Sequence, residues 1–268
     1  MVSSNLMQTP NDRVYRSDLY RTLDPSEKGA VSYFLGLTSA KLLAERYLRV
    51  PWLMHLDVYR NNITPTFWKG NKKKPDLVGL NTQQEWIVVE AKGRSDQLGG
   101  NDRATTFKKA KSQTRAIKTI SGNYPILRAA LACHFRGAEF CIEWEDPDDY
   151  ADDAVDVPLT SEDVLREYYR PFIEMLADTE ISTEDMEIEG QTYRALRIID
   201  ADVTVGVNTR ILDIGQPQLT RLINAFGDIY YAPASLDAAT TVGGDGILVR
   251  LGTSWDTDNM RRQPQDRE

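Results

Sequence analysis

The sequence predicts an α/β core, a mixed β-sheet flanked by helices, followed by a C-terminal α+β extension. Three observations predict it. A long helical period precedes three strand-like runs. A second helical stretch and two more strand runs follow. Beyond residue 145 the composition turns acidic and the elements shorten. With 268 residues, 41% of them hydrophobic, the chain can bury a core without disulfide or metal staples. That excludes a disordered chain and a cysteine-stapled mini-protein. The expected divisions are an arm at 1–26, a core at 27–145, an acidic extension at 146–252 and a flexible tail at 253–268.

The elements follow in order. Residues 1–24 are polar and read as an extended or irregular lead-in. A helix is expected from about residue 24 to Leu48, with Asp24 or Ser26 as its cap, Pro25 in the first turn and Pro51 as its stop. Ala30, Val31, Phe34, Leu35, Thr38 and Leu42 recur at spacings of three and four and predict its packing face. Residues 52–59 read as a strand, and a loop rich in Asn, Pro, Gly and Lys runs to Lys74. Residues 75–80 and 85–93 are two strands joined by a turn, a predicted hairpin. A helix is expected over 102–121, ended by Gly122. Strands at 126–135 and 139–145 follow, joined by a three-residue turn that sets Cys133 opposite Cys141. Beyond the acidic stretch, 161–177 and 217–226 read as helices. YRALRII, VTVGVNTRIL and GILVRLG read as strands.

The net charge of −8 hides a segregation. Residues 60–136 hold fifteen Lys/Arg against five Asp/Glu, whereas 139–189 hold nineteen Asp/Glu against two Arg. A basic stretch of that size suits a polyanion, and the acidic half suits a solvated face, a homodimer contact or a protein partner. No run of 18 apolar residues exists, so no membrane-spanning helix is expected. The N-terminus lacks the apolar stretch of a secretory signal. With only two cysteines and no disulfide framework, the expected compartment is reducing and cytoplasmic.

The chemistry concentrates in PDLVGLNTQQEWIVVEAKGRS. Alternation along a strand puts Trp86, Val88, Glu90 and Lys92 on one face and Ile87, Val89 and Ala91 on the other. With the hairpin turn centred near 82–83, Asp76 falls opposite residue 89 or 90. Two carboxylates and an ammonium then meet at one sheet end. Mg²⁺ takes hard oxygen ligands and keeps several waters, so one or two carboxylates plus a substrate phosphate suffice to hold it, with the Ala91 carbonyl as a further candidate ligand. A lysine beside the metal positions the attacking water and offsets charge on the transition state. The plainer alternative is a hairpin in which Asp76 caps a turn and Glu90 and Lys92 form a surface ion pair.

Pro75-Asp76 followed by Glu90-Ala91-Lys92, with a helix and strand before and a helix and strand after, resembles the PD-(D/E)xK nuclease superfamily, the restriction-endonuclease-like fold. The resemblance covers residues 27 to 135. It implies a Mg²⁺-dependent nuclease acting on DNA rather than RNA, with Mn²⁺ as a substitute metal. Asp76 and Glu90 would be metal ligands and Lys92 the catalytic lysine. It also implies a Glu from the first core helix, for which Glu27 is preferred and Glu45 is the alternative. Gln113 resembles a glutamine that some branches carry on the following helix, and is otherwise an ordinary polar helix residue. A role in defence against foreign DNA follows only by analogy with the family.

Lys108, Lys111, Arg115 and Lys118 recur at three, four and three and make a basic stripe suited to a phosphate backbone. Lys72, Lys73, Lys74 and Arg94 flank the motif as further nucleic-acid contacts, although the lysine triplet equally serves to solubilise a loop. Trp68 is the one tryptophan placed for base stacking. His55 reads as a core or rim histidine with Asp57 on its face. The acidic stretch 146–153 does not match a calcium loop. It is a solvated loop or a partner surface that imitates a nucleic-acid backbone. The alternative to an enzyme is a nucleic-acid-binding or partner-regulated subunit without independent cleavage.

Overall fold

The computed structural model describes residues 5–8, 13–56, 74–146, 149–178, 180–213 and 239–255. The chain divides into two compact units, 1–161 and 162–268.

The first unit is a mixed sheet with helices on its faces. Its elements are β1 (Leu6–Gln8), β2 (Val14–Arg16), α1 (Asp18–Thr22), α2 (Pro25–Leu48), β3 (Trp52–His55), β4 (Leu77–Leu80), β5 (Trp86–Gly93), α3 (Gly100–Thr114), β6 (Ile117–Ile120), β7 (Leu127–Arg136), β8 (Glu139–Glu145) and β9 (Val155–Val157). The main sheet runs β1-β2-β8-β7-β5-β4-β3. The β5–β7 pair is parallel, with α3 in the connection between them, and the other pairs are antiparallel. A central strand covered on both faces reads as a continuous apolar run, and the first six residues of β5 are all buried. Each fully buried Ile or Val there contributes roughly 1.5–3 kcal/mol.

Alternation on β5 and β7 sorts the sheet's two faces. Ile87, Val89, Ala91, Ala129 and Leu131 pack with Ala40 and Ala44 of α2. Ala130 and Ala132 pack with Phe107 and Ala110 of α3. Glu90 pairs in register with Ala130 and Lys92 with Ala132, so both charged residues lie on the α3 face.

The start of α2 is built as a capping box. Asp24 accepts from Ser26 N at 2.6 Å and Glu27 N at 2.9 Å, and the Glu27 carboxylate accepts from Asp24 N at 2.9 Å. Such a cap contributes about 1 kcal/mol. The helix ends at Arg49 in the left-handed conformation, φ 55°. Its packing face differs from the expected one. Val31, Ser32, Leu35, Gly36, Ser39, Ala40 and Ala44 are buried, while Phe34 and Leu42 are 47% and 52% exposed. The reason is close approach. A Cβ on Gly93 would stand 1.8 Å from the Ser32 carbonyl oxygen, and one on Gly36 would stand 3.1 Å from Gly93 N. Small residues make the contact, and they carry little hydrophobic signal.

Four further expectations are corrected. The N-terminal residues are not an extended lead-in: β1 and β2 pair at the sheet edge, and α1 places Tyr20 in the core, 0% exposed, with its ring 4.9 Å from Phe135. The helix expected to 121 stops at Thr114. Ile117–Ile120 is a strand paired in parallel with β9, which buries the β-branched Ile117 and Ile120 and keeps 155–157 with the first unit. The β7–β8 turn has two residues, Gly137 at φ 63° and Ala138, because Arg136 pairs with Glu139. Cys133 therefore faces Ile142, His134 faces Cys141, and both cysteines are free. Residues 57–73, with Asp57, Trp68, Lys72 and Lys73, lie outside the described residues.

The second unit holds α4 (Ser161–Ala177), β10 (Thr183–Ile188), β11 (Gln191–Ile198), β12 (Val203–Asn208), the short α5 (Thr209–Leu212), β13 (Thr240–Val242) and β14 (Ile247–Leu251). Its antiparallel sheet runs β10-β11-β12-β14-β13. The strand expected over 203–212 ends at Asn208, whose side chain accepts from Arg210 N and caps α5. The acidic β10 was not expected. The helix expected at 217–226 and most of the tail lie outside the described residues. Among the described residues, no helix is long and apolar enough to cross a membrane.

Candidate active site

The β4–β5 hairpin carries the site. Its register, Leu77 with Val89 and Leu80 with Trp86, continued by one residue brings Asp76 beside Glu90. Asp76 N donates to Glu90 Oε2 at 2.8 Å, and Ala91 N donates to Asp76 Oδ2 at 3.3 Å. Lys92 Nζ donates to Glu90 Oε1. The three side chains singled out from the sequence therefore meet, linked through two backbone amides.

Proline has no N–H, so Pro75 brings no proton to extend the β4–β5 ladder beyond Asp76. A strand residue's N–H and C=O point to the same side. The Ala91 oxygen thus shares the side of the Asp76 carboxylate, just beyond the first residue of β4.

The electrostatics are uneven. Glu90 is 0% exposed, and Lys92 keeps 26% of its side chain in solvent. Burial, and then the charge of Asp76, push the Glu90 carboxyl up to about 7, against the pull of Lys92 and of the Asp76 amide. With Glu90 ionised, two carboxylates and one ammonium leave net negative charge around a buried group. The two carboxylates and the Ala91 carbonyl are hard oxygen donors of the kind a divalent cation such as Mg²⁺ accepts while keeping waters. Among the described residues, no three His, Cys, Asp or Glu side chains form a larger metal cage.

The other sequence-predicted residues divide. Gln113 is brought to the site's border: its Nε2 donates to the Lys74 carbonyl at 2.9 Å and holds the approach to Pro75 against α3. The Arg94 guanidinium donates to Thr106 Oγ1 at 2.9 Å and ties the end of β5 to α3. Glu27 is exposed, its carboxylate bonds within the α2 cap, and its helix covers the opposite sheet face from Glu90. Glu45 pairs with Lys41 at 3.5 Å. His55 Nε2 lies 3.1 Å from the Tyr33 hydroxyl.

The basic stripe does not face the carboxylates. Lys111 pairs with Glu145 of β8 at 2.5 Å, and Arg115 Nε donates to the Asp149 carbonyl at 2.6 Å. Lys108 lines the same flank of α3 as these two. Lys118 sits on β6, 5.1 Å from the centre of the Tyr150 ring. On that flank lies a network the sequence reading missed. Arg103 donates to Glu143 at 2.7 Å and to Glu145 at 2.9 Å. Buried His134 accepts from Leu98 N at Nδ1, which leaves Nε2–H to donate to Glu143 at 3.0 Å. The alternation of Glu143 and Glu145 on one strand, and of Arg103, Phe107 and Lys111 on one helix, was the available signal.

No protein-family model, curated protein or solved structure matches this chain.

Proposed function

We propose that the protein is a Mg²⁺-dependent phosphodiesterase that cleaves DNA, on a core of the restriction-endonuclease-like kind. The observation that carries this reading is the meeting of Asp76, Glu90 and Lys92 at the open end of the β4–β5 hairpin. Asp76, Glu90 and the Ala91 carbonyl are the groups that would hold the metal. Mg²⁺ when bound lowers the pKa of a water and steadies the leaving oxygen, and Mn²⁺ substitutes for it. Lys92, hydrogen-bonded to Glu90 and partly in solvent, orients the attacking water and offsets charge that develops on the phosphate. Gln113 keeps Asp76 in place through Lys74.

The engagement of Lys92 by Glu90 also favours a second reading, a nucleic-acid-binding subunit in which the ion pair is structural. One experiment separates the two. Pure protein is incubated with plasmid, linear and single-stranded DNA, with Mg²⁺ and with EDTA. Metal-dependent cleavage supports the enzyme. DNA binding without cleavage in Mg²⁺ or Mn²⁺ supports the subunit.

A further inference from the structure

The cations of α3 and the carboxylates of β8 enclose a second site, separate from the hairpin end. A cleft of about 510 Å³ opens along the β8 flank of α3, lined by Arg103, Phe107, Lys108, Lys111, Arg115 and Glu145 among others. Ala130 of β7 lies between Glu90 and Glu145 in the sheet register. Two strand spacings therefore put the cleft's sheet wall roughly 10 Å from the carboxylate pair. Four cations spread over about 18 Å of helix axis, which makes a line rather than a point. A line of cations fits a chain of phosphates better than a single anion.

Arg103 is set for such a contact. Its guanidinium carbon stands 4.7 Å from the centre of the Phe107 ring, which fixes the plane of the fork. The fork's present partners are Glu143 and Glu145, and Glu145 is shared with Lys111. Arg103 is 42% and Lys111 35% exposed at the side chain, so an incoming anion reaches both without unfolding the cleft. Among the described residues, Lys108 is exposed and pairs with no carboxylate.

We propose that this cleft binds the phosphodiester backbone of a nucleic-acid strand, and that Glu145 is a resident counterion which the backbone displaces from Arg103 and Lys111. This rests on the phosphodiesterase reading only for the identity of the polymer. The site itself follows from the line of cations and the carboxylate lodged among them. Glu145 thus sets a threshold. Weak or singly charged anions fail to displace it, whereas a polymer that engages several cations at once succeeds.

The test measures binding of fluorescein-labelled single-stranded and duplex oligonucleotides by anisotropy, in EDTA, over a salt series. Glu145→Gln is compared with wild type and with Glu184→Gln, which removes one charge from the exposed face of β10 in the second unit. Glu145→Gln is expected to tighten binding about five-fold and to steepen its salt dependence, while Glu184→Gln stays within about two-fold of wild type. Lys108→Ala with Arg115→Ala is expected to weaken binding about ten-fold, with the far-UV spectrum unchanged. A Glu145→Gln effect no larger than that of Glu184→Gln overturns the proposal. So does competition by poly-glutamate as strong as that by unlabelled oligonucleotide, which would assign the cleft to an acidic peptide. Cleavage is scored separately in Mg²⁺. Tightening without cleavage removes the enzyme reading and leaves the cleft. Cleavage without tightening does the reverse.

Discussion

Glu90 in the first unit and Asp245 in the second are both buried carboxylates, 0% and 4% exposed, yet they are held in opposite ways. Asp245 sits among donors: its carboxylate accepts from the Tyr168 hydroxyl and from Ile247 N at 3.0 Å, and its carbonyl accepts from the Tyr169 hydroxyl at 2.7 Å. Every one of those contacts favours a carboxylate or a carbonyl oxygen, and the group closes a turn beside β14. Glu90 also has two donors, Lys92 and the Asp76 amide, but its other close neighbour is the charge of Asp76. A second carboxylate beside a buried one adds repulsion to the cost of burial. The difference teaches where to look for function. A charge that is satisfied by its surroundings supports the structure, and a buried charge set against a like charge marks a candidate site.

The largest test of that contrast is activity. Lys92→Ala and Glu90→Ala are expected to reduce DNA cleavage to background in Mg²⁺, while most DNA binding survives. A variant that cuts plasmid at the wild-type rate breaks the assignment of the hairpin end. Asp245→Ala is expected to leave the Mg²⁺-dependent rate intact and to cost about 2–3 kcal/mol in urea unfolding, the sum of the buried hydrogen bonds it removes. Next comes the neutral substitution of Glu90. Glu90→Gln relieves the repulsion with Asp76, so in chelator it is expected to unfold within about 0.5 kcal/mol of wild type, or above it. A loss as large as that of Asp245→Ala would show Glu90 to be structural after all.

The smallest effect lies in the second unit. Asp202 accepts from Ser254 N at 2.9 Å and from Arg197 at 2.6 Å, and these contacts hold its carboxyl down at about 2. A depressed carboxyl contributes stability that is complete above its unfolded value, near 3.8, and is lost as pH falls toward 2. The melting-temperature gap between wild type and Asp202→Asn is therefore expected to be constant above about pH 5 and to close with acidification. A gap that widens in acid contradicts the sign.

How far these features were legible depends on their range. The meeting of Asp76 with Glu90 followed from hairpin arithmetic, because a tight antiparallel turn propagates its register to the strand ends. Strand alternation likewise put Glu90 and Lys92 on one face. The flank of α3 that carries the basic stripe was not legible, since periodicity gives a helix its stripes but not the neighbour each stripe meets. Lys118 was assigned to the helix because nothing nearby in sequence signals that Ile117 will pair with Val155. The packing face of α2 was misread for a chemical reason: Ser32, Gly36 and Ser39 are selected for size, and hydrophobic periodicity does not register size. The cap contact of Glu27 is hidden for a related reason: a first-turn glutamate serves a cap and an active site with the same residue type.

The missing proton of Pro75 has one more consequence. The ladder between β4 and β5 stops a rung early by covalent constitution, whatever the pH, salt or neighbouring side chains. An oxygen on the central strand is left facing outward at the fork where the strands part. Any other amino acid at position 75 would bring an amide able to extend the pairing beyond Asp76, so a single ring closure fixes where the hairpin ends.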